Sequence, residues 1–169
     1  LGEMTVAATF YEEALTIARE RGDPAEVAQA LFNLSFTYIM PRTEMLRGKD
    51  LVEESLATFQ QLGDEAGIMR ALWARGSLSV FQEAWPEAAS DFRETLVRAR
   101  KLRDAYWTSW SLHMLGASET QLGDLDAARP HLEEALHLLE SSGEITGIVL
   151  ALDDFAKLWA KSGDVPRGL

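Results

Sequence analysis

The sequence predicts an all-α chain: an α-α superhelix of about eight antiparallel helices, read as a fragment of a longer array. Three observations carry this. Small residues recur at a fixed step. Short breaks built on Gly and Asp divide the chain into segments of helical length. No segment alternates apolar and polar residues as a half-buried strand would.

The step is about 40 residues. Gly76, Gly116 and Ala156 are 40 apart, and Ser35 lies 41 before Gly76. The same spacing relates Ala7, Gly48, Ala88 and Ala128, then Ala14, Ser55, Thr95 and Ala135, then Leu15, Leu56, Leu96 and Leu136. Four registers sharing one period indicate stacked helix pairs. Small side chains let antiparallel helices approach, so Gly116 should face Ala128, and Ala135 should meet the next repeat. Leu112, Leu115, Leu132, Leu136 and Leu139 then fill the grooves around them. Gly at 76 and 116 is a poor helix former, which makes packing the better reason for its place.

In chain order, residues 1–21 form a helix with apolar positions Val6, Phe10, Ala14, Leu15 and Ala18. By register it is the second helix of a pair. Gly22-Asp23-Pro24 ends it: Asp23 is a good N-cap, Pro24 suits the first helical position, and Glu26 makes the start resemble a capping box. A helix follows to about Met40. Pro41-Arg42-Thr43 breaks the chain, with Thr43 as cap of a helix to about Leu62. Gly63-Asp64 repeats the earlier punctuation before a helix from Glu65 to about Gln82. Ala84-Trp85-Pro86 turns into a helix to Leu102, and Asp104 caps the next, to Leu122. Gly123-Asp124 leads to a helix ending at Ser141, and residues 144–161 form the last full helix. Val165 to Leu169 read as the start of one more.

The expected organisation is one domain, residues 1–169. Helix pairs occupy about 24–62, 64–102, 104–141 and 144–169, the last incomplete, with 1–21 an orphan second helix. Phe155 and Trp159 then lie on a final helix short of a partner, which predicts an exposed apolar patch and self-association there.

Composition bounds the function. Apolar residues make up 47% of the 169, as in a chain that builds a core. There is no Cys, which excludes disulfides and Cys-ligated metal. No apolar run reaches membrane-span length, and a cytoplasmic, non-membrane protein is expected. The net charge of −11 argues against a nucleic-acid surface, which needs clustered cations. His113, His131 and His137 share no ligand spacing, and Asp153-Asp154 and Glu133-Glu134 point in different directions on a helix and read as solvated. No phosphate loop, nucleophile motif or His-Glu-x-x-His occurs. Neither enzymatic activity, cofactor nor metal is expected.

The pattern resembles the tetratricopeptide repeat. Leu115-Gly116, Ala128, Leu132 and Ala135 match that family's positions, as do Gly76, Ala88 and Phe92, with Thr95 in the last Ala place. The Trp place holds Leu31, Leu72, Leu112 and Leu152 instead, and the Tyr place holds Tyr38, Ser79, Glu119 and Trp159. The closing Pro is absent, and the step exceeds the usual one of about 34 residues. The longer variant looks like the repeat domains of large bacterial ATPase-linked transcriptional regulators and cyclase-linked proteins, through phrases such as Ala30-Leu31-Phe32-Asn33-Leu34-Ser35 and Gly123-Asp124-Leu125.

The resemblance implies a right-handed solenoid whose first helices line a concave groove. The residues placed there are Gln29, Phe32, Phe36, Arg70, Trp73, Ser77, Trp110, His113 and Ala117. Rings and Arg are favoured interface anchors. The Lys and Asn clamp by which chaperone-binding relatives hold a C-terminal carboxylate is missing from these rows. The expected function is a regulatory interaction module for a peptide or protein partner, beside adjacent domains of a parent protein. The alternatives are a small-inducer sensor using the same groove, or a self-assembling segment forming a homodimer through its ends.

Overall fold

The Gly/Asp breaks fall where the chain reverses. A computed structural model of the protein describes residues 2–42 and 44–163. It contains α1 (Gly2–Arg21), α2 (Pro24–Ile39), α3 (Met45–Leu62), α4 (Glu65–Phe81), α5 (Trp85–Leu102), α6 (Ala105–Leu122), α7 (Leu125–Ser142) and α8 (Ile145–Ser162). Among the described residues, each of the eight full helices expected is present, with boundaries within two residues of those expected. The cap assigned to Thr43 and the further helix at 165–169 lie outside the described residues. Among the described residues there is no strand, and no helix is long and apolar enough to cross a membrane.

Capping sets the helix starts. The carboxylates of Asp23, Asp64, Asp104 and Asp124 accept hydrogen bonds from backbone N–H groups of the first turn that would otherwise lack partners. Glu26 does not close the box expected at Asp23. Its carboxylate lies 3.5 Å from Arg21, and the Asp23 N–H donates to the Ala18 carbonyl instead. Several helix ends adopt the left-handed conformation, as at Gly63 and Gly123, where glycine carries no Cβ penalty. The end of α5 does the same with Arg103, at φ 56°. Helix α7 also continues through Pro130, which has no N–H to offer the preceding turn.

The chain divides into two compact units, Leu1–Gln82 and Glu83–Leu169, with the boundary inside the repeat expected at 64–102. In the first unit, α2 packs against α1, α3 and α4. In the second, α6 packs against α5, α7 and α8. A helix covered on several sides needs apolar or small residues around most of its circumference, and α2, α4 and α6 have them. Helices α3, α5 and α7 bury a single stripe, such as Ala128, Leu132, Ala135 and Leu139 on α7. Each fully buried Leu of that stripe contributes about 1.5–3 kcal/mol.

The small-residue registers mark the helix crossings. A Cβ built on Gly116 would lie 3.2 Å from the Ala128 carbonyl oxygen, so α6 and α7 meet there as expected. One built on Gly48, in the register of Ala128, would lie 3.4 Å from the carbonyl oxygen of Ser35, in the register of Gly116. Both units therefore use the same crossing. Next to it, Ser55 Oγ donates to the Ala28 carbonyl at 2.8 Å, with Ser55 fully buried.

Candidate partner-binding surfaces

In the first unit, residues four apart on α2 and three apart on α4 bring a ring cluster together. Phe32 and Phe36 have centroids 6.2 Å apart, and Phe36 stacks on Trp73 at 6.1 Å. All three are half-buried, and Phe32 also packs on the core. The Arg70 guanidinium lies 6.0 Å from the Phe32 centroid, at the edge of cation–π range. It donates to Gln29 Oε1 at 3.0 Å, and Gln29 Nε2 donates to Asn33 at 3.0 Å. The Arg70 Nε–H is buried with no acceptor among the described residues. Five of the expected groove residues thus form one patch. Ser77 is the exception: it is 2% exposed, and its hydroxyl donates back to the Trp73 carbonyl at 2.9 Å. A short hydroxyl in a helix finds the preceding turn before it reaches a surface.

In the second unit, Trp110 is half-buried and contacts Tyr106 (centroids 6.3 Å apart) and His113 (5.8 Å, edge-on). Tyr106 is exposed and stands edge-on to Trp107 at 5.5 Å. The Trp110 indole N–H is buried without an acceptor among the described residues. Ala117 is half-buried.

His113 does not belong to this surface. It is 3% exposed, and its Nε2 lies 2.8 Å from Asp154 Oδ2. Asp154 is likewise buried rather than solvated, and Lys157 donates to its other oxygen at 2.8 Å, while Asp153 is exposed as expected. Burial works against the Asp154 carboxylate. The hydrogen bonds from His113 and Lys157, with the attraction of both, outweigh it and hold the carboxyl below its ordinary value. The ionised Asp154 is then the acceptor and His113 the donor. The pair ties α6 to α8 and is a packing element.

Tyr38 and Glu119, which depart from one another in the Tyr place, share a role. Tyr38 on α2 donates from its phenol to Glu12 on α1 at 3.0 Å, and the Arg47 guanidinium of α3 sits 4.7 Å over its ring. Glu119 on α6 is buried, accepting from Arg93 on α5 at 3.0 Å and lying 2.7 Å from His131 Nδ1 on α7. Both residues bridge the flanking second helices. The pairs Glu12–Tyr38 and Arg93–Glu119 stand at equivalent places, 81 residues apart, with the acid on opposite sides. Comparing charges across registers, rather than only small residues, would have found this.

The apolar patch expected at Phe155 and Trp159 is also elsewhere. Phe155 is buried and Trp159 partly buried in a cluster with Ala128, Leu132 and Leu158, so both pack on α7. The large exposed apolar residues of α8 are Ile145, Val149, Leu150 and Leu152. On α1, Val6, Phe10 and Ala14 are exposed, and the core side is carried by Ala8, Leu15 and Ala18.

A family model described as tetratricopeptide repeat matches residues 67–141. No curated protein matches the sequence. Among solved structures, the chain is similar to BtubC (BKLC) from P. vanneervenii, with 27% identity and a TM-score of 0.73 over 84% of this chain and 59% of that one. It is similar to a Rap protein complexed with Competence and Sporulation Factor, at 17% identity and TM-score 0.72, covering 96% of this chain and 51% of that one. Aspartyl phosphate phosphatase F from Bacillus subtilis gives 15% identity and TM-score 0.69, over 93% and 46%. The last two likenesses concern the fold alone. The chain spans between 46% and 59% of the length of these structures.

Proposed function

Because this chain is a helical array of the tetratricopeptide type, we propose that it is a non-catalytic interaction module whose first helices hold a peptide or a peptide-like segment of a protein partner. The observation that carries the reading is the Phe32–Phe36–Trp73 cluster beside Arg70. Half-buried rings offer apolar area at low entropic cost, and the Arg70 Nε–H is a buried donor in want of an acceptor. A peptide carbonyl or carboxylate supplies that acceptor while an apolar side chain covers the rings. Trp110 offers a similar combination in the second unit, with Tyr106 beside it and its own spare N–H.

We place the module in a larger bacterial regulator of the cytoplasm, where it relays partner binding to adjacent domains. Its span of about half the similar structures supports a larger parent. The Rap protein, whose fold is similar, was solved in complex with Competence and Sporulation Factor, which supports a binding role for an array of this fold.

The test is selection of a random peptide library on the immobilised chain. Peptides with an aromatic or aliphatic residue near an acceptor should be enriched. Trp73→Ala and Arg70→Ala should each weaken their binding at least about tenfold, or about 1.4 kcal/mol, with the far-UV spectrum unchanged. Peptides that bind both variants as tightly as the unmodified chain would place the partner site elsewhere.

A further inference from the structure

We propose that the first-unit site takes a carboxylate set beside a large apolar side chain of a peptide, with the Arg70 guanidinium as its counter-ion and Gln29 as the group that aims the guanidinium. This rests on the reading of the Phe32–Phe36–Trp73 patch as a peptide site and narrows that reading to an acidic ligand.

The chain holds 27 Asp and Glu against 16 Lys and Arg, so a cation here has carboxylates in plenty. Arg19, Arg47, Arg93 and Arg100 are exposed, and each pairs with a Glu on another helix. Arg70 is the reverse case. It is half-buried, yet it makes no ion pair among the described residues. Its guanidinium meets a neutral acceptor, Gln29 Oε1, at 3.0 Å, and its Nε–H is buried with no acceptor among the described residues. Taking a cation partly out of water costs free energy that one neutral acceptor offsets only in part. An arriving carboxylate supplies the missing charge, and a guanidinium binds it through two parallel hydrogen bonds.

The repeat does not ask for a cation at this place. The register of Arg70 holds Gln29, Trp110 and Leu150 elsewhere, all uncharged. Helix packing is met there by neutral residues, so the charge itself points to a ligand.

Gln29 positions Arg70 without neutralising it. Its Nε2 donates to Asn33 Oδ1 at 3.0 Å, one turn along α2, which leaves its amide oxygen for Arg70. A carboxylate at position 29 would occupy the guanidinium with a charge of its own. The rings decide what stands beside the ligand carboxylate. The Arg70 guanidinium carbon lies 6.0 Å from the Phe32 centroid, and Phe36 and Trp73 continue the row at 6.2 and 6.1 Å. One residue, or two neighbours with Cα atoms about 3.8 Å apart, can place a carboxylate and an apolar side chain at such a separation. The carboxylate is thus a peptide C-terminus with an apolar last residue, or an Asp or Glu beside an apolar residue.

The test resynthesises the peptides enriched from the random library in matched forms: free or amidated at the C-terminus, and with each Asp or Glu kept or replaced by its amide. In calorimetry, a charged form should bind about tenfold tighter, or more, than its neutral match. The replacement that removes the gain tells a terminal carboxylate from a side chain. Arg70→Gln should erase the difference by weakening the charged form. Gln29→Glu should erase it too, because Arg70 then has an internal partner. In heteronuclear NMR spectra of the unmodified chain, the Arg70 Nε–H signal should move downfield with the charged peptide and stay in place with its neutral match. Equal binding of charged and neutral forms would overturn the proposal; if Trp73→Ala still weakens that binding, the peptide site stands without it. A preference for the charged form that survives in Arg70→Gln would overturn it as well. A library that yields no binder would overturn both readings.

Discussion

Gly116→Ala should destabilise the fold even though alanine is the better helix former. In an exposed helix interior this change stabilises by about 1 kcal/mol. Here the added Cβ would lie 2.7 Å from Leu132 Cγ, 3.0 Å from Leu132 Cδ2 and 3.2 Å from the Ala128 carbonyl oxygen. The first distance is 0.7 Å short of the 3.4 Å at which ordinary contact begins. Leu132 is fully buried, and its Cγ is a branch point rather than a free end, so it cannot simply swing away. Ala128 offers only backbone. The helices must separate or Leu132 must leave its rotamer, which costs about 1–3 kcal/mol or somewhat more. Set against the gain of about 1 kcal/mol from helix propensity, the net expectation is a loss of up to about 2 kcal/mol.

The assay is guanidinium unfolding followed by far-UV circular dichroism, with the midpoint falling and the slope unchanged. The decisive comparison repeats the substitution in a Leu132→Ala background. There the obstructing side chain is gone, and Gly116→Ala should become neutral or stabilising through its helix propensity. That coupling between neighbours is what a double-mutant cycle measures. Stabilisation by Gly116→Ala in the unmodified chain would refute the close approach, and with it the packing account of the small-residue registers.

Three further outcomes follow from single contacts. Arg103→Gly should raise stability by about 0.5–1 kcal/mol in thermal unfolding, because a left-handed φ of 56° strains every residue with a Cβ and glycine escapes it. Asp154→Asn should cost about 1.5–3 kcal/mol at neutral pH by removing a charged acceptor from His113 and Lys157. Asp154 is also held below its ordinary value of 3.8, so the unfolded chain binds that proton more readily than the folded one. Its stabilisation is complete above about pH 4 and lost as pH falls through the folded value; acid titration of the Asn variant should lack this component. Tyr38→Phe should move the Glu12 titration upward by NMR, since the phenol's hydrogen bond is the first cause holding that carboxyl low, ahead of Arg47.

The helices, their ends and their crossings follow from the residues alone. Local chemistry fixes these: Asp beside Gly caps one helix and ends another, and small residues every 40 or so positions need another helix at contact distance. The ring patch at Phe32, Phe36 and Trp73 was legible only through the resemblance to the tetratricopeptide repeat, which implies the rows that its first helices present together. Where polar and apolar groups of equal register end up depends instead on how the helices pack. His113 and Trp110 lie three apart on α6, yet His113 is buried because Asp154, 41 residues later, offers it a carboxylate. Phe155 and Trp159 are covered and Leu152 is open because α8 turns toward α7 the face that carries the rings. Register fixes which side of a helix a residue occupies. Whether that side meets solvent, a charge or another helix depends on neighbours far away in sequence, and those are set only once the helices stack.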